Sequence, residues 1–340
     1  MIGYIHFSFR KAYWALSGLL LLGMSSCSKH NNPGTAPMYT CLQYIHQDTA
    51  LSLYALALQR AGMTTDSTFT SGGPFTLFAP QDSAFIQAGL TQPVINSMNT
   101  SRLRSMLQYG ILQGRISAQD LTGAYTEQVT SYNPAYQPTL TKNYYGIFLN
   151  GVPAVKTDNN LGDGVIQETG RMVIPPTGTL LQEVDSLPEL SFLACALRRN
   201  AFLRKGLQLA NPFFDNDVNQ IAYYGITLLA PTNSAFQTFG FADTTAIAVA
   251  DSAYMTQLLG AYLFAGTFYT SDFKGGVEFV SGIYPYLPIS FGGSFALLPD
   301  GITFASSANI AHTVQIIKPD VVATNGVLDE INYILIPSNN

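Results

Sequence analysis

Apolar residues recur at helical spacing in two widely separated stretches of the chain. Leu51, Tyr54, Ala55 and Leu58 share one face of a 3.6-residue repeat, and Leu190, Leu193, Ala194 and Leu197 do the same. Each stripe predicts a core-facing helix. Downstream of each lies a short apolar run closed by proline: "TLFAP" from Thr76 to Pro80 and "TLLAP" from Thr227 to Pro231. These runs read as strands, because proline cannot continue a sheet ladder. Asp82 and Asn233 follow. Each is suited to cap a new helix by accepting a bond from an amide two or three residues on. Phe85 and Phe236 then stand where they can pack beneath the strand. The ten-residue phrase therefore predicts a strand-to-helix corner.

The corner is one of four blocks that occur twice in the same order. "LSLYALALQR" matches "LSFLACALRR", "TLFAPQDSAF" matches "TLLAPTNSAF", and "YGILQGRISAQDL" matches "YLFAGTFYTSDF" with a one-residue gap. "DGVIQETGRMVIP" matches "NGVLDEINYILIP". In this last block Asp163-Gly164 and Asn325-Gly326 predict tight turns. A strand should follow each and end at Pro175 or Pro337. The repeat predicts one domain built twice, with the boundary near 178, after "IPPTG". The second copy's extra residues fall around 204–220, predicting a long loop or an added helical turn.

The chain has 340 residues, 47% of them hydrophobic and only 11% charged. The charged share is less than half of what is usual for soluble domains. The surface should be neutral and rich in hydroxyls and amides, with no disorder-prone composition. Net charge is −5 and no basic block occurs, which disfavours nucleic acid as a partner.

Residues 1–26 have the layout of a lipoprotein signal: Arg10 and Lys11, an apolar stretch from Ala12 to Gly23, then small residues leading to Cys27. Cys27 is the expected lipid attachment site, although Met24 stands where leucine is usual. An ordinary secretory signal with an incidental cysteine is the competing reading. Residues 27–38 would form a lipidated tether. The expected location is the bacterial cell envelope, lipid-anchored, with the outer membrane favoured. Cys41 and Cys195 occupy unlike places in the two copies. A disulfide between them stays open, and a buried thiol is the favoured reading of Cys195.

The two corner segments and the closing "NGVLDEINYILIP" resemble the signature segments of the fasciclin-like domain. The resemblance spans 39–178 and 179–340. It implies an α+β fold of two tandem fasciclin-like domains, each a wedge of two β-sheets with packed helices. It also implies extracellular adhesion or matrix interaction. Thr76, Pro80, Asp82, Phe85 and Gly164 carry the structural motif in the first copy. Thr227, Pro231, Asn233, Phe236 and Gly326 carry it in the second. Relatives often have a Tyr-His pair between the segments; here Tyr109 and Tyr262 lack the histidine, so a packing role is implied for both. Thr169-Gly170 interrupts the usual run of the last strand, which should bend or weaken it.

Catalytic motifs are sparse. His46 and His312 lie outside the repeated blocks, with His46 expected just ahead of the first helix and His312 in a strand. "DNNLGDG", residues 158–164, lacks the full ligand set of a calcium loop and reads as a turn. No metal and no cofactor is called for. Tyrosines cluster in loop-like text, above all Tyr144-Tyr145 and Tyr223-Tyr224, and exposed tyrosine suits sugar rings and protein partners alike. The favoured expectation is a non-catalytic, membrane-anchored binding or adhesion module. Its partner would be a cell-surface or matrix polysaccharide or an envelope protein. A scaffold or accessory subunit of an envelope complex is the alternative, and a carboxylate-dependent glycoside hydrolase is the third reading.

Overall fold

The computed structural model describes residues 39–70, 73–208, 225–275, 277–280, 293–305, 312–336 and 338–339. Cys27, the tether, Tyr223, Tyr224 and residues 209–220 lie outside the described residues. Tyr39–Asn340 is one compact unit. Among the described residues, no helix is long and apolar enough to cross a membrane.

The two copies share a seven-strand path, to which the second adds a short strand, Ser338–Asn339, paired with Gly293–Ser294. The first contains β1 (Phe75–Pro80), β2 (Ile111–Gln113), β3 (Tyr125–Gln128), β4 (Thr139–Asn143), β5 (Gly146–Leu149), β6 (Val152–Asn160) and β7 (Gly164–Thr169). Their spatial order is β2-β1-β7-β6-β5-β4-β3. The second contains β8 (Ile226–Pro231), β9 (Leu263–Ala265), β10 (Val277–Val280), β11 (Gly293–Leu297), β12 (Thr303–Ala305), β13 (Val314–Ala323) and β14 (Gly326–Ile331). Its order, β9-β8-β14-β13-β12-β11-β10, is the same strand for strand. The apolar run and the closing segment lie side by side in parallel, β1 on β7 and β8 on β14. Every other neighbouring pair on these two paths is antiparallel.

The long strands β6 and β13 turn each ladder into two faces. Val152 and Pro153 pair with β5, whereas Ala154 to Asn160 pair with β7 across register shifts. The strand β13 repeats this, pairing with β12 at its start and with β14 beyond a shifted register. A bulge bends its strand and raises the local twist. Helices cover one side of β1 and β7, with Tyr54, Leu58, Phe85, Leu103 and Ile166 in that core. Phe78, Tyr109, Leu140 and Leu149 fill the other. All six residues of β1, β7, β8 and β14 are buried, as expected of strands covered on both faces. The buried clusters of the first copy draw on residues 41 to 173 and that of the second on 180 to 335. This is the α+β architecture expected, a wedge built twice.

The helical stripes lie where expected, in helices Ser52–Arg60 and Ser191–Arg198. His46 precedes the striped helix Ser52–Arg60, in a further short helix, Cys41–Gln47, and His312 precedes β13 rather than lying in a strand and stacks on Tyr333. The last strands end at Thr169 and Ile331, well before Pro175 and Pro337. Thr169-Gly170 does not shorten β7, which matches β14 in length; the chain leaves the sheet there in both copies. Cys41 and Cys195 are both free and pack against different cores; Cys41 is buried, whereas Cys195 is only partly buried, short of the buried thiol expected.

Candidate functional site

The signature residues build the corner, but not in the way their sequence neighbours suggest. Asp82 does not cap its own helix; Gln81 holds that position without a side-chain bond. Asp82 Oδ1 accepts from the Leu53 N–H (2.8 Å) and Oδ2 from the Ser52 hydroxyl, closing the first turn of the preceding helix. Asn233 does the same in the second copy. Its Oδ1 accepts from Phe192 N–H (2.9 Å), while its Nδ2 donates to Pro188 O and Ser191 Oγ. The local cap there is Thr232, which accepts from Ala235 N–H. The long-range role wins because a helix N-terminus presents unpaired amides that any nearby acceptor can satisfy.

Other pairs repeat the pattern. Thr76 Oγ1 donates to Gly114 O (2.9 Å) and accepts from Ile116 N–H (2.8 Å). Thr227 Oγ1 binds Gly266 O and Phe268 N–H at 2.8 Å each. Asp163 Oδ1 accepts from Cys41 N–H (2.7 Å) and Asn325 Oδ1 from Leu180 N–H (2.8 Å), each at the start of a copy's first helix. Gly164 and Gly326 sit so close to Phe75 O and Ile226 O that no Cβ would fit. Phe85 and Phe236 are fully buried, each contributing about 2 kcal/mol of transfer free energy. Tyr109 and Tyr262 are buried too. Tyr109 Oη accepts from Asn150 Nδ2 (2.7 Å), and Tyr262 Oη donates to Leu335 O (3.0 Å). Burial pushes the Tyr109 hydroxyl up to about 12.

In the 158–164 segment the carbonyls are already occupied by a side-chain cation. The Arg115 guanidinium donates to Leu161 O (2.7 Å), Gly164 O (2.9 Å), Gly162 O and Asn160 Oδ1. Among the described residues, no cluster of three or more His, Cys, Asp or Glu could hold a metal.

The exposed chemistry lies elsewhere. Tyr144 and Tyr145 form the two-residue turn between β4 and β5, flanked by the Asn143–Gly146 pair. Asn143 Oδ1 accepts from Tyr145 N–H (2.9 Å), fixing the turn, and its Nδ2 donates to Ser271 O of the second copy (2.9 Å). Tyr144 is 96% exposed and Tyr145 50%, with ring centroids 5.3 Å apart and planes at 89°. A Cβ on Gly275 would come within 3.1 Å of the Tyr145 hydroxyl, so that tyrosine rests on the second copy's backbone. Gly275 N–H in turn donates to Pro299 O (3.2 Å), in the hairpin between β11 and β12. That hairpin occupies the same place in the second sheet as β4–β5 does in the first, and it exposes Leu298 (40%) and Ile302 (37%). Asp300 stiffens it by accepting from Ile302 N–H, Thr303 N–H and the Thr303 hydroxyl. Two equivalent hairpin tips therefore converge on one seam and place aromatic and aliphatic side chains in water together. Nearby, the Lys274 ammonium lies 6.0 Å from the Phe148 ring centroid.

The seam beneath is polar and buried. Arg171, just past the end of β7, donates to Asp320 Oδ2 (2.6 Å), Pro319 O (3.1 Å) and Gly151 O (3.1 Å). Asp320 also accepts from Thr270 N–H and the Thr270 hydroxyl, both at 2.7 Å. Asp329 is sealed beside it. Burial, then the Asp320 charge, pushes the Asp329 carboxyl well above its ordinary value; Arg171 opposes this. Burial likewise raises Asp272 to about 6. No local pattern marks Arg171, Leu298 or Ile302 as functional. The repeated tripeptides "KTD" at 156–158 and "KPD" at 318–320 were the available signal for the bulge aspartates.

Comparison with known proteins places these features. Protein sll1483 of Synechocystis sp. is 24% identical over 106 residues, 31% of this chain and 57% of that protein. This chain thus spans a little over half the length of that curated relative. A FAS1 domain pair from the insect cell adhesion molecule fasciclin I aligns over 84% of this chain and 97% of that one, at 15% identity and a TM-score of 0.35. Residues 49–175 and 202–337 each match the fasciclin domain, a module of adhesion and binding, and the chain belongs to the fasciclin domain family.

Proposed function

We propose that this protein is a non-catalytic, lipid-tethered extracytoplasmic module whose tandem domains hold a polysaccharide on the tyrosine-bearing seam. The observation that carries the reading is the Tyr144–Tyr145 turn, the most exposed aromatic pair among the described residues and anchored at both ends by Asn143. Two rigid rings at right angles offer a flat stacking face and two hydroxyls at low entropic cost. The low charge of the chain suits a ligand met by stacking and hydrogen bonding rather than by ion pairing. Against a hydrolase stands the burial of the seam carboxylates: the Asp320 and Asp329 side chains are closed to solvent.

A glycan array probed with a soluble protein starting at residue 28 tests this. Binding that falls at least tenfold on Tyr144→Ala/Tyr145→Ala substitution, with unchanged thermal stability, is expected. Uniformly negative arrays would overturn the polysaccharide reading. A partner protein recovered on the same surface would establish the scaffold role in its place, to which Leu298 and Ile302 are suited. The tether rests on the signal-like leader and Cys27. Metabolic labelling with a fatty-acid analogue should mark the wild-type chain and not Cys27→Ser, and membrane fractionation should place it in the outer membrane. Equal labelling of both would reject the anchor.

A further inference from the structure

At one buried rung the first copy carries a neutral amide where the second carries a carboxyl, and the carboxyl lies beside the seam. Gln167 lies opposite Phe78 on β1, and Asp329 lies opposite Leu229 on β8, the same register position. In the first copy the Gln167 amide works in both directions. Its Oε1 accepts from Asp158 N–H (2.9 Å), and its Nε2 donates to Asp158 Oδ1 (2.8 Å). Asp158 sits at the bulge with φ of 57°, and its Oδ1 also accepts from Ala118 N–H. The second copy rebuilds the arrangement with Asp320 at φ of 61°, its Oδ1 accepting from Thr270 N–H. Asp329 Oδ1 accepts from Asp320 N–H (2.7 Å), which reproduces the accepting half of the amide. The donating half can be supplied only by a proton. Asp329 Oδ2 is sealed from solvent and meets no donor among the described atoms, as an ionised oxygen there would require.

We propose that Asp329 carries a proton in the docked protein and that this proton is a latch: it lets the second domain's bulge accept Arg171 of the first domain, and its loss at rising pH loosens the seam. The charged and titratable groups around it come from three elements. Asp320 faces it from β13, Arg171 from the segment after β7, and Asp272 and Tyr269 approach Asp320 from the short helix Thr270–Phe273 and its cap. An ionised Asp329 would bury a second anion beside Asp320 with only one guanidinium to share. Because the folded-state value lies above the unfolded one, the contribution is complete below the ordinary carboxyl range. It is lost as pH rises toward the folded value. The hairpin tips of the binding surface meet over the same seam. On the reading of that surface given above, the latch also governs whether they are presented together.

The test needs no ligand, so its outcome is separate from that of the binding assay. Above about pH 7, where Asp272 is largely ionised, wild-type folding should take up one proton at this site. The folded-to-unfolded ratio then falls about tenfold per pH unit. Asp329→Asn, which installs the amide of the first copy, should remove that dependence. Protection of the Thr270 and Asp320 amides, corrected for intrinsic exchange, should decline with pH in the wild type and hold steady in the variant. Infrared spectra of the wild type at pH 7 should contain a buried carboxylic C=O stretch, a readout independent of how the variant folds. An equal pH slope in both proteins, or no such band in the wild type, overturns the latch.

Discussion

Removing the Asp82 carboxylate should unfasten a helix thirty residues away and leave its own helix intact. Asp82→Ala deletes an acceptor for Leu53 N–H at 2.8 Å and for the Ser52 hydroxyl. Loss of a helix cap costs about 1 kcal/mol. A hydrogen bond to a charged group contributes about 1.5–3 kcal/mol, and the half-exposed position argues for the lower end. Allowing for overlap between the two, the expected destabilisation is about 2 kcal/mol, or roughly 30-fold in the folding equilibrium. Urea unfolding with a constant slope measures the total, and amide exchange at Leu53 locates it. Asp82→Asn, the residue used by the second copy, should recover most of the loss. A change within about 0.5 kcal/mol, or lost protection confined to residues 82–87, would refute the cross-helix cap.

Two further substitutions probe the repeat and the seam. Gly326→Ala forces a Cβ into Ile226 O at the parallel β8–β14 junction, and no soluble folded protein should be recovered from expression at 37 °C, whereas Gly170→Ala, whose Cβ meets only the Val155 side chain at 3.4 Å, should express. Arg171→Met leaves Asp320 buried without its cation. It should cost about 3–5 kcal/mol, read as a lowered thermal midpoint at neutral pH.

Much of the architecture was legible because it rests on local pattern. The helical stripe at Leu51, Tyr54 and Leu58 and the proline-closed strands at Pro80 and Pro231 are set by residues close together in the chain. Repetition of both in order pointed to one domain built twice. What escaped reading was the set of contacts between distant segments. Asp82 and Asn233 had the right chemistry for a cap, but the amides they satisfy belong to the helix before the strand. Hydrophobic text continues to Pro175 and Pro337 and so predicts longer last strands, while the backbone leaves the sheet at Thr169 and Ile331. That departure frees Arg171 to cross the seam. At the surface, Tyr144 and Tyr145 stand out as a tyrosine cluster in loop-like text, but the β4–β5 hairpin tip that holds them is seen only in the strand pairing. Their approach to Gly275 depends on domain docking, which no local pattern encodes.

The repeated phrase is an interchangeable structural part. The two versions differ only at Phe78/Leu229, Gln81/Thr232 and Asp82/Asn233. Exchanging them reciprocally, and measuring urea unfolding of the swapped chain, tests the claim most directly. The swapped chain should fold and lose no more than about 3 kcal/mol, mainly from the void left by Phe78→Leu and the crowding of Leu229→Phe. A chain in which either domain fails to fold, or in which stability is kept while glycan binding vanishes, would contradict it.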